Sequence, residues 1–148
     1  QFVEVAVDTE TGLIEITDHF GGSDAGTIMN PRAAYNQMTS FFAGLDVAIR
    51  EETVWDKWDN KVLNPNLIEY KARTFNEAPP HDHVCLESTK GRESDFPFGA
   101  MGIGEPIISP SGPAITMAVY NACGIELEEY PYLPAKVLAA LKEKEDRA

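Results

Sequence analysis

One carboxylate stands among small residues in the stretch FGAMGIGEP, residues 98–106. A proline follows it directly, and a residue before proline is biased towards extended backbone conformations. We therefore expect this acid, Glu105, to lie on a stiff, non-helical corner. The glycines around it have no side chains, so the backbone there can approach a bulky group closely; they are Gly99, Gly102 and Gly104.

The isoleucines near Glu105 indicate what this acid could do. Ile103, Ile107 and Ile108 place apolar side chains on both sides of it along the chain, and we expect them to shield it from water. Loss of hydration raises the pKa of a carboxyl group and makes it a usable general base near neutral pH. A turn glutamate that pairs with a lysine is the alternative that the motif alone leaves open.

A second candidate site is the histidine pair in PPHDH, close to Cys85. In a strand, His81 and His83 would present both rings on one face. A third metal ligand at a recognisable spacing is missing from the sequence, however. We therefore interpret the pair as part of a surface loop and expect no metal ligands in this chain.

Two weaker patterns could also bind a ligand. The backbone N–H groups of SDAG, residues 23–26, could surround an anion, although many simple turns have the same sequence. Four aromatic residues could stack on a planar ligand, but ordinary packing or strand pairing is the preferred interpretation. They are Trp55, Trp58, Tyr70 and Phe75.

The elements that position these residues follow from local patterns. Alternating apolar residues predict a β-hairpin over residues 2–17, and a polar loop follows over 21–28. Asn30 can cap a helix that Pro31 begins, and an apolar stripe carries that helix to residue 50. Short strands are expected on both sides of residue 60 and near HVCLES. Two helices, beginning near residues 109 and 134, complete an α+β fold with an N-terminal hairpin, one long helix, short strands and two C-terminal helices.

Composition narrows the possible partners. The chain has 148 residues, with 24 acidic against 12 basic side chains, which gives a formal charge of −12. Such a surface repels phosphates, so nucleic acids and anionic membranes are poor partners, and no apolar run reaches the length of a membrane span. Cys85 and Cys123 form no CxxC motif, and we expect reduced thiols in a cytoplasmic protein.

Five stretches, in order along nearly the whole chain, resemble the molybdenum hydroxylases, the xanthine dehydrogenase and aldehyde oxidoreductase family. FGAMGIGEP is similar to that family's G-A-x-G-[VI]-G-E-P signature. The other four stretches are FVEVAVDTETGLIEI, DAGTIMNP, NPNLIEYKARTFNEAP and PAITMAVYNACGIELEEYPYLPAKVLAAL. Agreement across so much of the chain makes this resemblance more specific than any single motif.

The resemblance implies both an architecture and a site. Residues 1–148 would form one domain, the C-terminal part of a molybdenum subunit and half of a larger molybdopterin-binding domain. Glu105 would be the base that activates a molybdenum-bound hydroxide for hydroxylation of a small-molecule substrate. Gln37 would lie near the pterin, and the backbone that approaches the pterin would be that of Gly102, Ile103 and Gly104.

The implied cofactor is molybdenum-molybdopterin, shared with a partner chain. Whether it has the cytosine dinucleotide form, and which substrate it oxidises, stay open. Electrons would pass to a [2Fe-2S] subunit and an FAD subunit. Family subunits are several times longer than this chain, so we expect a separately encoded or cleaved portion that a larger molybdenum-subunit chain completes in a hetero-oligomer.

The chain also departs from the family pattern. Phe41, Phe42 and Asp46 stand where smaller or less polar residues are usual, and Met101 stands where lysine is common. These departures keep two alternatives open. One is a molybdenum-dependent hydratase that adds water to an activated double bond, and the other is a non-catalytic structural subunit.

Overall fold

A three-stranded sheet organises the fold in the computed structural model, which describes residues 1–88 and 97–147. Strand β1 (Phe2–Val7) pairs antiparallel with β2 (Ile14–Asp24), and a bulge interrupts their register between Glu4 and Val5. Strand β3 (Asp82–Leu86) pairs parallel with β2, so the strand order is β1–β2–β3. The predicted hairpin and the strand near HVCLES are confirmed.

Strand β2 is longer than the sequence predicts. Residues 21–24, expected in a loop, continue β2 because they pair with residues 83–86 of β3. The glycines and polar residues of this segment have low intrinsic strand propensity. The partner strand lies far away in sequence, so local patterns do not reveal this pairing.

The predicted long helix is two helices, α1 (Pro31–Met38) and α2 (Phe41–Ile49). Asn30 caps α1 as expected, accepting a hydrogen bond from the Ala33 N–H at 3.1 Å. The helix breaks at Thr39, whose hydroxyl donates to the Asn36 carbonyl at 2.7 Å. Side chains that bond to nearby backbone compete with the helical hydrogen-bond pattern, which explains why the prediction of one helix is wrong.

The remaining elements confirm the α+β class. The two strands expected around residue 60 are reduced to a single antiparallel bridge between Trp55 and Val62. No helix in the described part of the chain is both long and apolar enough to cross a membrane. The last helix-forming segments are α3 (Leu67–Tyr70), α4 (Glu105–Ile108), α5 (Ser111–Cys123) and α6 (Pro134–Asp146).

The helices and the sheet share one buried apolar cluster. The stripe predicted for residues 31–50 supplies much of it, and α4, α5 and α6 each add side chains. Burial of such side chains is the main favourable contribution to folding, at about 25 cal/mol per Å². Its most buried members include Met38, Phe41, Leu45, Ile107, Ile115, Val119 and Val137.

A histidine is buried beside this cluster. His19, which carried no signal in the sequence, is 1% exposed, and its ring stacks on Phe41 with 3.7 Å between centroids. Its Nε2 lies 3.3 Å from the side-chain oxygen of Gln1, and within the described residues its Nδ1 has no hydrogen-bond partner. Burial is the main cause that lowers the pKa of His19 to about 4.

This histidine makes stability depend on pH. Between pH 6.5 and 4 the unfolded chain binds a proton at His19 that the folded chain does not, so the free energy of unfolding falls as pH falls. The gap of roughly 2.5 pH units corresponds to about 3 kcal/mol. We expect urea unfolding to show the wild type losing most of this amount between pH 7 and 4 relative to His19→Phe, which keeps a ring against Phe41.

A suitable control is His81→Asn, since His81 is exposed and its charge is a smaller cause of the lowered pKa of His19 than burial is. It should keep most of the pH dependence of the wild type. Parallel stability curves for the wild type and His19→Phe would contradict the prediction.

Candidate active site

Two stretches that are distant in sequence meet just beyond the end of β2. The Thr27 N–H donates to the Gly99 carbonyl at 2.7 Å, and the Met101 N–H donates to the Ala25 carbonyl at 2.8 Å. Phe98 and Gly99 both have positive φ, which turns the chain into this bridge. Residues 25–27 and 99–101 are thereby held side by side, and these are parts of DAGTIMNP and FGAMGIGEP.

A groove of about 360 Å³ lies between this bridge and helix α1. It brings together three residues that the sequence singled out: Gln37 from α1, and Ile103 and Gly104 from the glycine-rich stretch. An ideal Cβ placed on Gly104 would have no atom within 4 Å, and the same holds for Gly102 next to the groove. The backbone therefore borders open space at both glycines.

Gln37 is held in place by a hydrogen bond to Ser40. Its side-chain Nε2 donates to the Ser40 hydroxyl at 2.7 Å, and Ser40 lies in the two-residue interval between α1 and α2. Side chains three residues apart are neighbours on a helical surface. This bond orients the carboxamide at the wall of the groove.

Glu105 directly follows the groove residue Gly104, but its setting differs from the prediction in two ways. It begins helix α4 and does not form an extended corner. Proline is tolerated in a first helical turn, where its missing N–H needs no partner, so Pro106 does not prevent the helix. The Glu105 side chain is also exposed, whereas Ile107 points into the core.

The carboxylate of Glu105 makes no hydrogen bond or ion pair with any described residue. Its backbone carbonyl accepts from the Ser109 N–H at 3.1 Å and from the Ser109 hydroxyl at 3.0 Å. The position of this acid is therefore set by the backbone of α4. The sequence predicted that the neighbouring isoleucines shield Glu105 from water. Among the described residues they do not.

The histidine pair lies partly in a strand. His83 belongs to β3, so the surface-loop interpretation is wrong for it, while His81 precedes the strand and is exposed. The two rings are stacked with 6.2 Å between centroids, on one face as expected. Across residues 1–88 and 97–147, no group of three or more potential ligands is arranged to hold a metal ion.

The two weaker patterns do not form sites either. In SDAG, the N–H of Ala25 donates to the Leu86 carbonyl and that of Gly26 to the Asp24 carboxylate, so they are not available to an anion. Packing was the preferred interpretation of the aromatic residues, and it is wrong for two of them. Trp58 is 94% exposed and Phe75 96% exposed.

Sequence reasoning missed Thr27. Its side chain lines the groove, and its Oγ1 is buried without a hydrogen-bond partner in the described residues. A buried hydroxyl without a partner is unfavourable, so a polar group placed at this wall would gain a hydrogen bond there. The available signal was its position inside DAGTIMNP, one of the stretches that carry the family resemblance.

The chain is similar to known proteins over nearly its whole length. Residues 1–79 match the family model described as molybdopterin cofactor-binding domain. This match covers the sheet strands β1 and β2 and the helices α1 and α2, which include the Gln37 wall of the groove.

Two curated relatives come from Escherichia coli strain K12. The probable hypoxanthine oxidase XdhD is 32% identical over 142 residues, which are 95% of this chain and 14% of that protein. The aldehyde oxidoreductase molybdenum-binding subunit PaoC is 31% identical over 141 residues, which are 95% of this chain and 19% of that protein. The chain therefore spans less than a fifth of the length of either relative.

A solved structure extends this similarity to the fold. The aldehyde oxidoreductase from Desulfovibrio gigas matches with a TM-score of 0.78 and 27% identity. The match covers 95% of this chain and 15% of that one.

Proposed function

Because this chain belongs to the molybdopterin cofactor-binding domain family, in the xanthine dehydrogenase and aldehyde oxidoreductase group, we propose that it forms part of the active site of a molybdenum hydroxylase. It supplies one wall of the cofactor site and the general base Glu105. The observation that carries this proposal is the groove, which unites Gln37, Ile103 and Gly104 directly beside that acid.

The residues of the groove suit a large, polar cofactor. The exposed backbone at Gly102 and Gly104 leaves room for a flat ring system, and backbone groups bind such rings in many proteins. The Thr27 hydroxyl, from the bridge, and the Gln37 carboxamide, from α1, add polar groups to the groove. When bound, molybdenum-molybdopterin supplies the redox chemistry, taking up two electrons while an oxygen atom from water is added to the substrate.

Glu105 would accept one of the two protons that this reaction releases, and the other would leave to solvent. Its exposed carboxylate makes no bond to the described residues, so none of them has to be displaced before it accepts a proton. General-base catalysis of this kind contributes roughly 10²–10⁴ in rate. Among the described residues, the nearby isoleucine Ile107 points into the core and does not cover Glu105; we propose that the larger remainder of the molybdenum subunit excludes water from it.

The proposed assembly has several chains. PaoC is named as a molybdenum-binding subunit, and we place this chain in a comparable subunit that works with [2Fe-2S] and FAD subunits. We propose that the cofactor is shared with the larger remainder of the molybdenum subunit, in either nucleotide form. A cytoplasmic location agrees with the free thiols of Cys85 and Cys123, which a reducing compartment maintains.

The sequence departures do not point to a different reaction. Phe41 is 1% exposed and packs on His19 in the core, and neither it nor Phe42 lines the groove. Asp46 is buried and paired with Arg73. Met101 is the one departure at the groove wall. Hydration and a purely structural role therefore remain only as outcomes of the test.

The test uses the assembled enzyme that contains this chain, in ¹⁸O-labelled water, with and without an electron acceptor. Hypoxanthine and an aldehyde are the substrates to try first, because they represent the named relatives. We expect one labelled oxygen in the product formed from hypoxanthine, and turnover of either substrate only when the acceptor is present. The aldehyde is followed by acid formation, because its carbonyl oxygen exchanges with water unaided. Labelled product from hypoxanthine without an acceptor would establish hydration, and an assembly without molybdenum and pterin would leave only the structural role.

A further inference from the structure

Helix α2 approaches the corner between α4 and α5 unusually closely. A Cβ added to Gly44 of α2 would lie 2.4 Å from the Ile108 carbonyl oxygen, and 2.7 Å from both Cβ and Oγ of Ser111. The first of these atoms belongs to the backbone and cannot rotate away. There is thus no room for even a methyl group between α2 and the end of the helix that carries Glu105.

The same corner is held from a second side. The Ser111 hydroxyl, which is fully buried, lies 2.9 Å from the Gln1 side-chain oxygen and 3.2 Å from the Phe41 carbonyl. The Gln1 side-chain nitrogen donates to the Ile107 carbonyl. Bonds from β1 and α2 therefore converge on residues 107–111, where α4 ends and α5 begins.

The other end of α4 has no such support. Gly102, Gly104 and Glu105 are exposed, and the Glu105 carboxylate has no partner among the described residues. Because α4 has only four residues, Glu105 is about 4.5 Å along the axis from Ile108, at 1.5 Å per residue. A shift at the fixed end is carried directly to the acid.

We propose that Gly44 is a positioning residue for Glu105. Because Gly44 has no side chain, α2 can pack directly against the corner between α4 and α5. This packing contact sets the position of the Glu105 carboxylate beside the groove. The inference rests on the proposed function in one respect only, namely that Glu105 is the base. The packing of α4 against α2 is a property of this chain and can be measured without the cofactor.

The variant Gly44→Ala tests the packing contact between α2 and the α4–α5 corner directly. Alanine favours a helix by about 1 kcal/mol over glycine, so any loosening must come from the contact with Ile108 and not from helix propensity. In the 148-residue chain we expect amide hydrogen exchange at Ile107 and Ser109, which bond to Gly104 and Glu105, to become at least about tenfold faster. In the assembled enzyme we expect kcat to fall by up to about 10²-fold at unchanged KM and molybdenum content, because small misplacements of catalytic groups have effects of this size.

Gly112→Ala is the matched control. Gly112 lies in α5 next to Ser111, but a Cβ there meets the Tyr130 hydroxyl at 3.2 Å and its Cε2 and Cζ at 3.3 Å, all of which belong to the end of a side chain and not to backbone. Exchange at Ile107 and Ser109, and kcat, should stay as in the wild type. A general effect of adding a methyl group near α5 would appear in both variants and would overturn the proposal.

A second variant covers the case in which Gly44→Ala does not fold. Ser111→Ala removes the hydroxyl between Gln1 and Phe41 without adding bulk, and it should accelerate the same two amides by a smaller factor. Unchanged amide exchange in every folded variant would overturn the statement that α2 fixes the α4–α5 corner. Faster exchange with unchanged kcat would overturn the role of Gly44 in positioning Glu105. Failure of the proposed role of Glu105 as the base can be distinguished from this. It would appear as full turnover by a Glu105 variant, and it would leave the exchange results for Gly44→Ala unchanged.

Discussion

Replacing Glu105 with glutamine should lower turnover of the assembled enzyme by roughly 10²–10⁴ while leaving the chain as stable as the wild type. Glutamine has almost the same shape but accepts no proton, so the general base is lost. The carboxylate is exposed and unbonded within the described residues, so the change in unfolding free energy should stay within about 0.5 kcal/mol. Steady-state kinetics and urea unfolding measure the two quantities.

The control for this variant is Glu126→Gln, which makes the same chemical change at another exposed glutamate, away from the groove. It should keep wild-type turnover. Molybdenum and pterin content have to match in all three proteins, so that lost activity reports on chemistry and not on cofactor loading. Wild-type turnover by Glu105→Gln would show that another group accepts the proton.

Much of the fold could be predicted because its signals are local. The alternation in residues 2–17 specifies the hairpin, and Asn30 with Pro31 specifies the start of α1. The errors fall where a distant partner decides the structure. Residues 21–24 become strand only because β3 pairs with them, and the long helix divides where Thr39 and Ser40 form side-chain bonds.

The candidate site depends on long-range contacts more than the fold does. The glycines and the Glu-Pro pair led to the stretch that borders the groove, and its role at a cofactor stays a prediction. The exposure of Glu105 depends on which way one helical turn faces, and the groove depends on the bridge between residues 25–27 and 99–101. Asp46 shows the same limit: its polarity was evident in the sequence, whereas its partner Arg73 became evident only in the structure.

That partner is the basis of the largest stability change we expect. Arg73→Met should lower the free energy of unfolding by about 3–5 kcal/mol, because it leaves the Asp46 charge buried without its partner. The Asp46 side chain is 3% exposed and that of Arg73 12%, with the Arg73 Nη2 2.5 Å and Nε 2.8 Å from Asp46 Oδ1. Urea unfolding at pH 7 measures the loss, which is a large part of the 5–15 kcal/mol typical of a domain.

Lys61→Met provides the comparison, because Lys61 pairs with Asp59 at a similar 2.8 Å but with side chains 74% and 58% exposed. Its loss should be below about 1 kcal/mol. Adding Asp46→Leu to Arg73→Met should recover much of the stability, since removing both charges also removes their desolvation penalty. Equal losses for Arg73→Met and Lys61→Met would mean that burial does not determine how much the pair contributes to stability.

The pair joins α2 to the loop before β3, away from the groove. We therefore expect kcat of the folded Arg73→Met enzyme to match the wild type, in contrast to Gly44→Ala on the same helix.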